Sequence, residues 1–195
     1  MTAPRLFGVS ARPIAGRMLN IRFACCMTTL LLLALPAAAA PKKTTPPAHP
    51  AAASAGPKKI GEFADWTAAT HVESSQTVCY AFTIAQSSAP SLPGRGQVVL
   101  TVTERSPGRD AVAIEAGFTY APNATMTVQV DQTGLDFYTS GANAFARDGK
   151  ATVAAFHKGS RAISRSPAPK EVTDTFSLKG FSQAYAAIVK ACPAK

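Results

Sequence analysis

The sequence predicts a mainly β domain: an antiparallel β-sandwich-like fold of about seven short strands, with a C-terminal helix and a second short helix near residues 149–158. Three observations predict this class. Apolar side chains recur at every second position from residue 76 onward, and Gly, Pro and Asp turn signals interrupt them. After residue 180 the period changes from that of a strand to that of a helix.

The strands are marked by this alternation. The first strong one is QTVCYAFTI, residues 76–84, which places Val78 and Phe82 on one face and Cys79 and Ala81 on the other. Because both faces are apolar, we predict that this strand lies inside the sheet rather than at its edge. Further strands are predicted over residues 97–105, 110–118, 126–130, 135–140, 161–166 and 171–178, with a shorter one over 143–147.

Two segments have helical character. Residues 149–159, GKATVAAFHKG, offer Val153, Ala154 and Phe156 for burial. Residues 180–195 end the chain with apolar side chains at helical spacing. The shared face of this last helix consists of Phe181, Tyr185, Ile188 and Cys192, and the helix ends at Pro193. The folded domain is therefore predicted over residues 61–195, which is long enough for one hydrophobic core.

Residues 1–39 are predicted to be a secretory signal peptide. Residues 23–35 form an apolar run that follows four arginines and precedes a run of alanines. The run is shorter than the roughly 20 apolar residues that span a bilayer. The small residues Ala37 and Ala39 predict cleavage after Ala39, and hence export of the domain that follows.

Residues 40–60 are predicted to be a disordered Pro/Ala/Lys-rich linker, because proline fixes φ and supplies no backbone donor. The formal net charge of +9 comes largely from the signal and this linker. From residue 60 onward, 12 Lys and Arg stand against 11 Asp and Glu, so the domain is nearly neutral. This balance argues against nucleic acid as a partner. We predict that the linker is a solvated spacer, and weak contact of its lysines with anionic envelope surfaces is the alternative.

Four cysteines occur in the chain, and the signal carries Cys25 and Cys26. Cys79 and Cys192 remain after cleavage, and two cysteines in one small exported domain usually pair. Cys192 lies on the apolar face of the last predicted helix, and Cys79 lies in the middle of a strand. We predict a disulfide between them, provided that the helix covers this face of the strand. A redox-active pair is the alternative, but such pairs favour close Cys-x-x-Cys spacing.

Several segments resemble the invasion-associated locus B family. They are ADWT at 64–67, SSQTVCYAFTIAQS at 74–87, RGQVVLTVTER at 95–105 and EVTDTFSLKGFSQAYAAIVKACP at 171–193. The similarity extends from about Phe63 to Pro193. Many relatives carry another cysteine soon after the tryptophan, whereas this chain has WTAATHVESS there. The resemblance implies an exported envelope protein of Gram-negative bacteria, and it supplies no catalytic residue to carry over.

No catalytic, cofactor-binding or metal-binding set is predicted. His49, His71 and His157 are scattered, without the close spacing of zinc ligands. Ser, His and Asp occur without a nucleophile-elbow motif. The carboxylates Glu104, Asp110 and Glu115 are interleaved with Arg105 and Arg109, which favours surface ion pairs over an acid–base pair. Trp66, the only tryptophan, is predicted to lie in the core.

Three aromatic residues are the weak candidates for a binding surface: Tyr120, Tyr138 and Phe145. We expect an exported, non-catalytic envelope protein, an interaction module of the periplasm or the outer surface whose partner is an envelope or host-surface protein. The periplasm is the first expectation for its location, and the outer-membrane surface or secretion is the second. The alternatives are an enzyme acting on envelope material through an unrecognised site, and a surface adhesin or invasion factor.

Overall fold

The computed structural model describes residues 56–167 and 171–194. The predicted signal and most of the predicted linker lie outside these residues. Within them, the chain forms a single antiparallel sheet of 11 strands and two helices. The elements are β1 (Lys58–Phe63), β2 (Trp66–Glu73), β3 (Gln76–Ile84), β4 (Ser87–Ala89), β5 (Val99–Glu104), β6 (Ala111–Glu115), β7 (Thr125–Val130), β8 (Thr133–Ser140), β9 (Asn143–Ala146), α1 (Gly149–Lys158), β10 (Arg161–Ser166), β11 (Val172–Ser177) and α2 (Phe181–Ala191).

The sheet wraps around the core. Its strand order is β1-β2-β3-β5-β6-β9-β8-β7-β10-β11-β4. Only Ala85 and Gln86 separate β3 from β4, yet β4 pairs with β11 at the opposite end of the order. Gln86 N also donates to Thr175 O at 2.8 Å. The passage from β3 to β4 therefore brings the two halves of the sheet together, which confirms the predicted mainly β, sandwich-like class.

The predicted number of strands was too low. Strands β1, β2 and β4 were not predicted, and residues 58–60, which were assigned to the predicted linker, begin β1. The reason is local, because β1 and β4 lack a regular apolar alternation and β4 has three residues. In β2 the adjacent Ala68 and Ala69 are both buried, which breaks the period-two pattern.

The core is built across the central strands. Paired residues Ala68, Ala81, Val102 and Val112 form one buried row across four strands. Trp66 is 1% exposed, and its indole donates to Ser177 O at 3.0 Å. It also meets the Phe181 ring edge-on, with centroids 4.9 Å apart. The tryptophan thus joins α2 and β11 to the start of the domain, as its predicted core position requires.

Both predicted helices are present. The Asp148 side chain accepts from Ala151 N at 2.9 Å and caps α1. Ala154, which we expected to be buried, is exposed, because Thr152 lies on the buried face with Val153 and Phe156. Helix α2 buries Phe181, Ala184 and Ile188 against β2 and β3, the packing that the disulfide prediction needs.

Gly180 sets the start of α2. Its φ of 91° is left-handed, and a Cβ there would meet the Phe63 carbonyl oxygen. Only glycine fits both conditions without strain. The helix can therefore begin directly against the end of β1, which fixes where its last residues lie.

Candidate functional site

The outer face of the sheet carries aromatic residues in a defined register. Directly paired residues share a face of a sheet. Phe82 pairs with Thr101, Thr101 with Ala113, Ala113 with Phe145, and Phe145 with Tyr138. One row of side chains therefore crosses β3, β5, β6, β9 and β8 on the side opposite the core.

Two aromatic pairs stand in this region. Tyr138 and Phe145 stack with ring centroids 5.5 Å apart, and Tyr80 and Phe82 stack at 6.0 Å. Three strand spacings, about 14 Å, separate Phe82 from Phe145. We call these four residues the outer aromatic surface. Small side chains on β5 and β6 lie between the two pairs. The surface therefore has two protruding aromatic pairs with a shallow region between them.

The pair formed by Tyr138 and Phe145 contains the more exposed ring. Tyr138 is 44% exposed, whereas Phe145 is half-buried beneath its neighbours. The Arg147 guanidinium lies over the Tyr138 ring, 5.7 Å from its centroid. This distance is within the range of a cation–π contact. Arg147 therefore contacts one face of the ring while Tyr138 stays open to solvent.

The structure brings two of the three predicted aromatic candidates together and removes the third. Tyr138 and Phe145 are in contact, as described above. Tyr120 is 6% exposed, and its hydroxyl lies 3.1 Å from Ser166 Oγ, so its assignment to a binding surface was wrong. The segment after β6 turns inward, where Tyr120 N donates to Gly141 O. Sequence analysis missed Tyr80 and Phe82, because an apolar period of two does not tell which face of a strand is outside.

The predicted cysteine pair lies at one end of the sheet. The structure joins Cys79 and Cys192 in a disulfide, with their Cα atoms 6.0 Å apart. Cys79 is fully buried on β3, whereas Cys192, directly after α2, is partly exposed. The sulfur bond thus ties the end of α2 to a central strand.

A cleft of about 370 Å³ opens beside Cys192. The turns between β2 and β3 and between β5 and β6 form its walls, together with the end of the chain. Its lining residues are Ser75, Gln76, Thr77, Arg105, Ser106, Arg109, Ala191, Cys192 and Pro193. Its lining is mixed, with Ala191 and Pro193 beside two arginines, which distinguishes it from the outer aromatic surface.

A buried carboxylate lies behind this cleft. Glu104 is completely buried, with Arg109 Nε 2.5 Å from one carboxylate oxygen and Asp110 N donating to the other at 3.0 Å. Burial raises the pKa of Glu104, while the Asp110 N–H and the Arg109 charge act against this rise. The expected surface ion pair was therefore wrong for Glu104. Arg105 does form one, 3.1 Å from Glu73.

Arg109 and Tyr185 attach α2 to the Glu104 region. Arg109 also donates to the Cys192 carbonyl oxygen at 2.5 Å. The Tyr185 hydroxyl donates to the Asp110 carboxylate. Burial, and the loss of this hydrogen bond on ionisation, raise the pKa of Tyr185. Through these contacts Arg109 and Tyr185 hold α2 against the Glu104 region.

A second buried ion pair lies across the sheet. Arg95 donates to both carboxylate oxygens of Asp174, at 2.7 and 2.9 Å, and its Nε donates to Ala116 O at 2.7 Å. Ser88 and Ser164 also donate to Asp174, at 2.7 and 3.4 Å. Arg95 thus attaches the segment before β5 to β11 and to the residue that follows β6.

The histidines of the described region remain apart. His71 lies edge-on to Tyr80 on β3, and His157 on α1 lies 2.8 Å from Ser182 Oγ. In residues 56–167 and 171–194, no group of three or more potential ligands is arranged to hold a metal ion. Neither of the two helices described is long and apolar enough to cross a membrane.

Comparison with known proteins gives the family. Residues 66–189 match the family described as "Invasion associated locus B (IalB) protein". The fold is similar to the crystal structure of invasion associated protein b from Bartonella henselae, with a TM-score of 0.50 and 18% identity. That similarity covers 67% of this chain and 96% of the other. None of the curated proteins matches the chain. Because the family match covers more than half of its length, the chain belongs to the invasion associated locus B family.

Proposed function

We propose that the chain is an exported, non-catalytic envelope protein that binds another protein through its outer aromatic surface. The observation that carries this proposal is the exposed Tyr138 ring, stacked on Phe145 and held by Arg147. Tyrosine and arginine are enriched where protein interfaces concentrate their binding energy. Both side chains are already positioned here, which lowers the entropy lost on binding.

The shape of this face favours a protein as the ligand. The row from Tyr138 to Phe82 crosses five strands, a span of about 19 Å. With its flanking residues it suits an interface of about 800 Å² per partner. The two aromatic pairs and the shallow region between them offer a broad contact surface. A small ligand would need a closed pocket for tight binding.

The interior charged side chains bind one another or other protein groups, which supports a role without catalysis. Asp174 accepts hydrogen bonds from Arg95, Glu104 forms an ion pair with Arg109, and Asp110 accepts a hydrogen bond from Tyr185. A general acid or base must reach a substrate atom. In the two ion pairs the charged groups face each other, and Asp110 is bound to the neutral Tyr185 hydroxyl, so all three contacts stabilise the domain.

Export is supported by the predicted signal over residues 1–39 and by the cysteine pair. A disulfide between Cys79 and Cys192 persists in an oxidising compartment such as the periplasm. The family description also names invasion, which is consistent with an envelope protein. We therefore propose the periplasm as the location and an envelope protein as the partner.

Site-specific photo-cross-linking in living cells tests the binding surface. A benzophenone amino acid replaces Tyr138 in the full chain, and a matched variant carries it at Lys158, which is exposed on α1. We expect one discrete adduct from position 138 and none of the same mass from position 158. Adding Arg147→Ala to the first variant should weaken the adduct. Identical adducts from both positions, or no adduct from 138, would contradict this function.

A further inference from the structure

The two sulfurs of the disulfide differ in access. Cys79 is fully buried, whereas Cys192 is partly exposed and lines the cleft of about 370 Å³. Thiol–disulfide exchange begins when a thiolate attacks one sulfur and the other leaves. A nucleophile that enters the cleft therefore meets Cys192, and Cys79 becomes the leaving group.

The arginines of the cleft favour thiols that carry negative charge. Of the described residues that line it, two are arginines and none is acidic. Arg105 is exposed and shares its charge only with Glu73, itself exposed. The Arg109 side chain is partly exposed too, although its Nε is bound to Glu104. Glu73 and Glu104 offset part of this positive charge, and the remainder attracts a thiolate and any carboxylates attached to it.

We propose that this cleft is a modification site, in which a small thiol bearing carboxylates forms a mixed disulfide with Cys192. The class is that of anionic peptide thiols, for which glutathione serves as the probe. The cleft volume is within the range of small-molecule sites, about 300–1,000 Å³. The neutral donors Gln76, Thr77 and Ser106 add hydrogen-bonding capacity for a peptide backbone.

The exchange balances without another reactant. The attacking thiol loses a proton, and its sulfur bonds to Cys192 Sγ as the Cys79–Cys192 bond breaks. The electron pair of that bond stays on Cys79, which then takes up one proton. Cys79 pairs with Glu104 across β3 and β5, so it is released into a buried position where a neutral thiol is favoured. No net oxidation or reduction of the protein–thiol system occurs.

Mapping the adduct tests the site. The full chain with Cys25→Ser and Cys26→Ser is incubated with glutathione under native conditions, alkylated, digested with trypsin and analysed by mass spectrometry. We expect glutathione on Cys192, in the peptide of residues 191–195, and the alkyl label on Cys79. Glutathione on Cys79, an even division or no adduct would overturn the proposal. In denaturant, where the cleft is lost, both sulfurs should be modified.

The rate of exchange tests the role of charge. Per thiolate, glutathione should react faster than the cationic thiol cysteamine, and added salt should reduce the difference. One unit charge about 6 Å away in water changes such a rate roughly threefold. Arg105→Gln should therefore slow glutathione by about threefold, while Arg165→Gln, at an exposed site on β10, should not. Equal rates for the two thiols, or equal effects of the two substitutions, would refute the selectivity.

Discussion

Removal of Arg95 is the most direct test of the buried ion pair. The Arg95 side chain is 6% exposed and that of Asp174 is 0% exposed. Arg95→Met removes two charge-assisted hydrogen bonds to Asp174 and a third to Ala116 O, and it leaves the carboxylate with Ser88 and Ser164 alone. Asp174 lies inside β11 and cannot swing into water, so its charge remains buried or must be neutralised.

Breaking one side of a buried pair costs about 3–5 kcal/mol, whereas replacing both partners by apolar residues is often nearly neutral. We therefore expect Arg95→Met to lower the free energy of unfolding by about 3–5 kcal/mol. Arg95→Met/Asp174→Leu should recover most of that loss. The gap between the double variant and the sum of the single variants measures the coupling of the pair.

Urea unfolding followed by the fluorescence of Trp66, the only tryptophan, gives these values. Arg165→Met is the matched control, because Arg165 is exposed and donates to Gln129 at 2.9 Å. It should change stability by less than about 0.5 kcal/mol. A loss below about 1 kcal/mol for Arg95→Met would refute the argument that the pair is desolvated.

Three further outcomes are expected. Cys79→Ser and Cys192→Ser should each cost about 4–5 kcal/mol for a loop of 113 residues, and urea unfolding of the double variant should show little more, whereas additive losses would separate the two cysteines. Because the pKa of Tyr185 is raised in the folded state, its un-ionised hydroxyl contributes fully to the free energy of unfolding below pH 10. This contribution is lost as pH rises above that value. Tyr185→Phe should therefore lose less stability than wild type between pH 8 and 11, and parallel profiles would contradict this. Protease added to intact cells should spare the domain and degrade it after lysis, while cleavage in the 41–59 segment of intact cells would indicate surface display.

Much of the fold could be predicted because one face of most strands is apolar. The alternation in β5 to β8 and the helical spacing in α2 are both strong, and the predicted positions are buried. β2 was missed because α2 covers part of it, so the small residues Ala68 and Ala69 suffice there. β4 is too short for any period to be visible.

The candidate surface was harder to predict, because exposure depends on tertiary contacts. Tyr120 and Tyr138 are both tyrosines near turns, yet one is buried and the other is exposed. Tyr120 lies inside with its hydroxyl 3.1 Å from Ser166 Oγ, whereas Tyr138 lies at the surface with Arg147 over its ring. For Glu104 a nearby arginine was visible in the sequence, but the depth of the pair was not.

The closure of the sheet explains why buried charge is retained in this domain. β4 can form few backbone hydrogen bonds with β11, because only three of its residues are paired. Ser88 stands directly opposite Asp174 in this pairing, and their side chains are bonded at 2.7 Å. A shift of one residue would place the Ser88 side chain on the other face and leave the carboxylate short of a donor. We therefore expect the Arg95–Asp174 cluster to favour the register of β4 on β11 that closes the sheet.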